Sequence, residues 1–124
     1  MKWAKGSSQT KLLPPSNLTV NINNGGYIAR NLAEIDVNMA ASWDSATYAT
    51  ATNRAGKNFY VYACQPANGT TPIILLSANS TVPTGYTETN SRKIGGFHCL
   101  CLSVGTISGH VLSGYITGDI LPVS

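Results

Sequence analysis

Gly105, Gly109, Gly114 and Gly118 arrive every four or five residues toward the end of this chain. That spacing leaves no room for a stable helix. Comparable punctuation runs through the rest of the sequence. Pro14-Pro15, Asn24-Gly25-Gly26, Ala55-Gly56-Lys57, PANGTTP at residues 66–72 and PTGYT at residues 83–87 divide it into short pieces. The pieces between them alternate. In NLTVNIN, Leu18, Val20 and Ile22 are separated by polar residues, the period of a half-buried strand. Asn24-Gly25-Gly26 then supplies the φ-tolerant residues of a tight hairpin, and GYIARN resumes as its second strand. AEIDVNM places Ile35, Val37 and Met39 on one face, and Glu34, Asp36 and Asn38 on the other.

NFYVYACQ is rich in aromatic and β-branched residues, with Phe59, Val61 and Ala63 on one side and Tyr60, Tyr62 and Cys64 on the other. IILLSA reads as a strand buried on both faces. Residues 40–54 (AASWDSATYATATNR) are ambiguous: the alanines permit a helix, but the Thr and Ser content and weak apolar period argue for strand and loop. Residues 1–16, polar, basic and closed by two prolines, read as an extended arm or linker. Short strands between Gly, Pro and Asn turns indicate an all-β fold, a small antiparallel β-sandwich or partly open barrel, over residues 17–124.

Charged residues make up only 10% of the 124, far below the usual quarter. The net charge of +3 comes from scattered Lys and Arg, of which only Arg92 and Lys93 are adjacent. A nucleic-acid partner would want them clustered. No apolar run approaches the roughly 20 residues of a membrane span, and no leader pattern follows Met1, so neither membrane insertion nor secretion is expected. The Asn-x-Ser/Thr sequences at Asn17, Asn68 and Asn79 are read accordingly as turn and strand residues. Cys64, Cys99 and Cys101, an odd number, read as reduced thiols.

Residues 83–102, PTGYTETNSRKIGGFHCLCL, hold most of the reactive-looking side chains. In a strand beginning near Ile94, Phe97, Cys99 and Cys101 share one face, and His98, Leu100 and Leu102 take the other. Cys99 and Cys101 could share a metal, with Cys64 and His110 completing the ligands. However, C-x-C inside an alternating strand suits core filling better than zinc, whose cysteines converge from turns. Glu34 and Asp36 share a face as paired acid–base carboxylates would, or as the solvated side of an edge strand. His98 has no nucleophile placed with it by any recognisable spacing. Trp43, Tyr48, Tyr86 and Tyr115 could form a sugar-binding platform, although a Tyr in a turn such as PTGYT also serves to plug that turn. Gly95-Gly96 permits a bulge or a close backbone approach. Pro83 fixes φ in the turn, and Gly85 allows a positive one.

Taken in order, AGKN, the strand holding Tyr60–Cys64, an NG-type loop, SANS, Pro83–Thr87 and Arg92–His98 resemble the middle portion of the phage major tropism determinant family. The likeness is dense from Lys57 to His98 and thin before Ser42. It implies a connecting β-domain of a trimeric receptor-binding protein at a tail-fibre tip, in a phage or prophage. In that family receptor contact belongs to a C-terminal C-type-lectin-like domain, so the resemblance implies no direct receptor contact by these residues. The expected partners are a second and third copy of the chain, other tail-fibre or baseplate proteins, and a host receptor only indirectly. The expected location is the virion tail, after synthesis in the bacterial cytoplasm. No cofactor, catalytic residue or metal ligand is expected. A standalone carbohydrate-binding module is the alternative reading, and a small metal-dependent enzyme the third.

Overall fold

The computed structural model describes residues 3–7, 10–15, 18–22, 27–30, 32–54, 56–66, 72–99 and 120–123. Its centre is a strand, β6 (Asn58–Cys64), which pairs antiparallel on one side with β7 (Ile73–Ser77) and on the other with β8 (Ser91–Cys99). The edge strand β9 (Ile120–Val123) completes the order β7-β6-β8-β9. The alternation of β6 works as its sequence implies. Phe59, Val61 and Ala63 enter the main core, whereas Tyr62 and Cys64 join Leu75 in a second cluster on the opposite face.

Two smaller sheets share that main core. A hairpin of β3 (Leu18–Asn21) and β4 (Tyr27–Arg30) contributes Leu18 and Val20. A three-stranded sheet is formed by β1 (Ala4–Lys5), β2 (Lys11–Leu13) and β5 (Ile35–Asp36), in that order. It contributes Leu12, and Trp3, the residue before β1, joins it there. The fold is therefore all-β and antiparallel, and the described sheets are not closed into a barrel.

The segment expected to be an arm is instead integral to this core. Trp3 is 0% exposed, and its indole Nε1 donates to the Ile94 carbonyl at 2.8 Å, across 91 positions of sequence. Leu12 lies opposite Lys5 and Ile35. Polar ties hold β1 and β2 to the β5 segment: Lys11 Nζ reaches Asp36 Oδ2 at 3.0 Å, and the Ser7 N–H and hydroxyl both donate to the Glu34 carboxylate. A single Trp in a polar stretch carries no periodicity, so its burial leaves no pattern to read.

The Ile94 carbonyl and the room above Gly95 have one origin. Val61 faces Gly95 while Tyr62 faces Lys93, so Ile94 is an extra residue on β8. This β-bulge breaks the alternation, and Ile94 and Phe97, three apart, both enter the main core. A Cβ built on Gly95 would lie 2.2 Å from Trp3 Cδ1. Gly95-Gly96 thus sits beside a bulge and also accepts a close approach. The approaching group is an indole rather than backbone.

Two further expectations are corrected. The strand predicted through Met39 stops at Asp36, because its Oδ1 takes the Asn38 N–H at 2.9 Å and turns the chain. Val37 remains buried, but Met39 is 55% exposed. Residues 40–54, expected as strand and loop, form 3₁₀ turns at Ala40–Ser42 and Ala46–Ala49 and one α-turn, α1 (Ala51–Arg54). Local i→i+3 bonds close them, such as Trp43 N to Ala40 O at 3.2 Å and Tyr48 N to Ser45 O at 3.3 Å. The alanines let the chain coil closely there, and the large residues between them reach the core.

Gly95→Ala is expected to lower stability by about 1–3 kcal/mol, the range for overpacking a filled core. Adding Trp3→Ala should cost clearly less in that background than in the parent chain, because the colliding ring is gone. Urea unfolding of the four variants measures both, and additive losses would contradict the contact.

Candidate functional site

A dense polar construction lies where the 79–90 loop folds over the second cluster. The loop is bolted through one carboxylate. Asp44 Oδ2 accepts from Ser77 Oγ at 2.7 Å and from the Thr84 N–H at 2.8 Å, while the Asp44 N–H donates to Leu76 O at 3.0 Å. Beside it Trp43 forms a parallel bridge to Leu76, so the edge of β7 is covered at that point. Ser77 Oγ in turn accepts the Asn79 N–H at 3.0 Å, and Asn79 Nδ2 donates to Thr84 Oγ1 at 3.2 Å. From the far side of the sheet face, the Tyr62 hydroxyl donates to the Asn79 carbonyl.

The turn itself follows its sequence. Tyr86 N–H donates to Pro83 O at 3.1 Å, and Gly85 has φ of +89°, a conformation costly for other residues. Tyr86 packs against Tyr62, Cys64 and Leu75 and so plugs the turn. Further on, Ser91 Oγ donates to Thr87 O at 2.6 Å and Asn90 Oδ1 accepts the Thr87 N–H at 2.7 Å. Burial and nearby Tyr60 and Asp44 push the Tyr62 phenol upward, and burial does the same for Tyr86. Burial, reinforced by Asp44, pushes the Cys64 thiol up to about 12. These groups stay neutral donors or packing surfaces at ordinary pH.

A second polar hub was invisible in the sequence. Arg54 is fully buried, and its Nη1 donates to Val37 O at 3.0 Å and Tyr48 O at 2.8 Å; Nη2 donates to Asn38 Oδ1 at 2.7 Å. Its Nε has no partner among the described residues. Desolvation lowers the guanidinium's pKa, while Cys99 and then Asp36 oppose that shift. The planar fork ties the turn after β5, at Val37 and Asn38, to the 3₁₀ turn at Tyr48. The only sequence signal is an arginine ending a run of small polar residues.

The described candidates from the sequence do not converge on one site. Cys64 and Cys99 are buried on opposite faces of the large sheet, near opposite ends of β6. Cys101 and His110, the other potential ligands, lie outside the described residues, as do Leu100 and Leu102. Among the described residues, no three of His, Cys, Asp and Glu converge. Glu34 and Asp36 have lowered pKa values: the two Ser7 hydrogen bonds lead for Glu34, and the Asn38 N–H and Lys11 for Asp36. Both carboxylates are thereby held ionised, whereas an acid–base pair needs one raised toward neutrality. His98 Nδ1 pairs with Asn58 Oδ1 at 2.8 Å across β6 and β8.

The supposed aromatic platform comes apart in the same way. Trp43 is a core residue whose Nε1 donates to Val37 O at 2.9 Å and whose ring meets Phe59 edge-on at 5.0 Å. Tyr48 packs against the same cluster, with Phe59 at 5.1 Å. Tyr115 lies outside the described residues, as do Asn17, Asn68 and the Asn24-Gly25-Gly26 turn. Outward on the sheet, Lys93 Nζ lies 4.9 Å from the Tyr60 ring centroid and donates to Ser80 O at 2.7 Å.

Antiparallel sheets over one shared core, with a loop bolted down by side chains, define a small all-β packing module. Comparison with known proteins then places it. Residues 9–124 match the family model described as the Mtd second domain, and the chain belongs to that family. The tail fiber receptor-binding protein of Bordetella phage BPP-1 is 32% identical over 84 residues, covering 66% of this chain and 19% of that protein. Solved structures of the I1 and M1 variants of Major Tropism Determinant align at 26% identity over 76% of this chain and 20% of theirs, with TM-scores of 0.48. The chain thus spans about a fifth of the length of these relatives.

Alkylation tests the burial at this site. In native protein at pH 8, iodoacetamide is expected to modify Cys64 on the order of a hundredfold more slowly than in urea-unfolded protein. Peptide mass spectrometry reads the residue directly. Equal rates in the two states would contradict a sealed second cluster.

Proposed function

We propose that this chain is the connecting β-domain of a phage or prophage tail-fibre receptor-binding protein, which supports a trimer and presents a host-recognition domain. The observation that carries the proposal is the family match over residues 9–124. The tail-fibre relative's name supports the setting. On this reading the work of the domain is mechanical and not enzymatic. Its partners are two further copies of itself and the neighbouring tail-fibre or baseplate proteins. The host receptor is reached only through the domain it presents. Its place is the virion tail, after synthesis in the bacterial cytoplasm.

Physical features agree with such a role. Low charge leaves little repulsion between copies. Leu13, Met39 and Ile73 are exposed apolar side chains that an assembly could cover. The polar hubs at Asp44 and Arg54 bind loops to the sheets through many partners, which suits a part that transmits load without opening.

Sedimentation equilibrium over a wide concentration range tests the association. The expected result is a reversible monomer–trimer equilibrium without a stable dimer, since a cyclic threefold interface closes only at three copies. A strict monomer at the highest concentration would remove trimer support from these residues.

A further inference from the structure

Four positions of the large sheet form a square on the face away from the main core. Asn58 stands opposite His98, and Tyr60 opposite Gly96, on the neighbouring strands β6 and β8. Tyr86 of the 79–90 loop covers another part of this face, over Tyr62, Cys64 and Leu75. Three corners of the square carry side chains, and the fourth, Gly96, does not. The result is a hollow of about 150 Å³ lined by Asn58, Phe59, Tyr60, Gly96 and Phe97. Phe59 and Phe97 send their rings into the main core on the opposite face, so their backbones form its floor. Gly96 keeps the hollow open: a Cβ there would lie 3.1 Å from Phe59 O and 3.7 Å from Tyr60 Cδ1.

The rim carries a matched donor and acceptor. Asn58 Oδ1 only accepts, so its 2.8 Å contact with His98 Nδ1 fixes the neutral imidazole as the Nδ1–H tautomer. That leaves His98 Nε2 an acceptor and Asn58 Nδ2 a donor, on adjacent side chains, with no partner among the described residues. The wall is the half-buried Tyr60 ring. Lys93 Nζ, held by Ser80 O, already takes part of that ring at 4.9 Å. Tyr60 therefore supplies an apolar wall and not an open stacking platform.

We propose that this hollow is a binding site for the terminal pyranose ring of a neutral glycan, seated through a vicinal diol. Adjacent hydroxyls each donate and accept, so one takes the Asn58 Nδ2 proton and the next donates to His98 Nε2. The C–H surface of the ring rests against Tyr60. A trans peptide fits less well, because its N–H and C=O point to opposite edges. No charged side chain is among the described lining residues, which favours a neutral ring over an anionic one. The volume lies below the range of full ligand pockets, which limits the fit to one ring. The hollow opens on the sheet surface, so the rest of a glycan extends into solvent. Such a contact goes beyond the connector role and is separate from the receptor reached through the presented domain.

Titration of the isotope-labelled full chain with the methyl glycosides of mannose, galactose and glucose, followed by amide NMR, tests the proposal. At least one should shift the amides of residues 58–60 and 96–98, with a Kd on the order of 1–10 mM. Asn58→Ala and His98→Ala should each weaken that binding by roughly three- to tenfold, as should Gly96→Ala, which fills the hollow. Tetrahydropyran, the ring without hydroxyls, should give no shifts there. Silence from all three glycosides at about 0.1 M would overturn the site. Unchanged binding by folded Asn58→Ala and His98→Ala proteins would overturn the diol seat. Equal shifts from acetamide would assign the donor–acceptor pair to primary amides and overturn the saccharide. Binding of the free sugars without their methyl glycosides would overturn the glycan.

Discussion

The indole of Trp3 resting over Gly95 and bonded to the Ile94 carbonyl is the contact on which the arrangement of sheets depends. Three conditions have to coincide for it. An extra residue on β8 must turn the Ile94 carbonyl out of the ladder, residue 95 must lack a side chain, and the residue before β1 must be large and carry a donor. Once Trp3 is seated, β1 is fixed, β2 follows by pairing, and β5 follows β2. Asp36 and Asn38 at the end of β5 then start the helical turns that deliver Trp43, Tyr48 and Arg54. Removing a buried Trp costs about 3–5 kcal/mol in general, a large share of the marginal stability of a domain this size.

The two polar hubs divide the remaining labour. Arg54 works inside, where it gathers the carbonyls of Val37, before the helical turns, and Tyr48, within them, into one fork. Asp44 works at the boundary, joining the 79–90 loop to β7 through Ser77 and Thr84. Each replaces what regular hydrogen-bonded structure would supply. This is why a chain with short strands and hardly any helix can still hold long loops in place. In the proposed setting, a connector needs that property more than it needs a pocket.

Legibility followed the length of the pattern. β6 has seven residues, and its alternation alone assigns Phe59, Val61 and Ala63 to one cluster and Tyr62 and Cys64 to another. Gly85 and the Gly95-Gly96 pair were readable because glycine has few other uses at such positions. Where one residue decides the outcome, the sequence was silent. Trp3 gives no period in a polar stretch, and Asp36 stops a strand through a side-chain bond that composition does not reveal. Trp43 looked like a surface aromatic because its neighbours are small and polar, yet those neighbours coil and turn it inward. Arg54 inverted the rule that arginine stays outside, since Val37, Asn38 and Tyr48 together present acceptors to it. Of the described metal candidates, Cys64 and Cys99 are kept apart because the strand faces, not proximity in sequence, decide which side chains meet.

The Trp3 indole N–H offers the most direct test of this account. In a two-dimensional nitrogen–proton spectrum with nuclear Overhauser contacts, that proton should exchange slowly with solvent and show contacts to Ile94 and Gly95, 91 and 92 positions away in sequence. A rapidly exchanging indole with contacts only to its sequence neighbours would show that the first residues stand off the domain, and the account of how the sheets are held would fail.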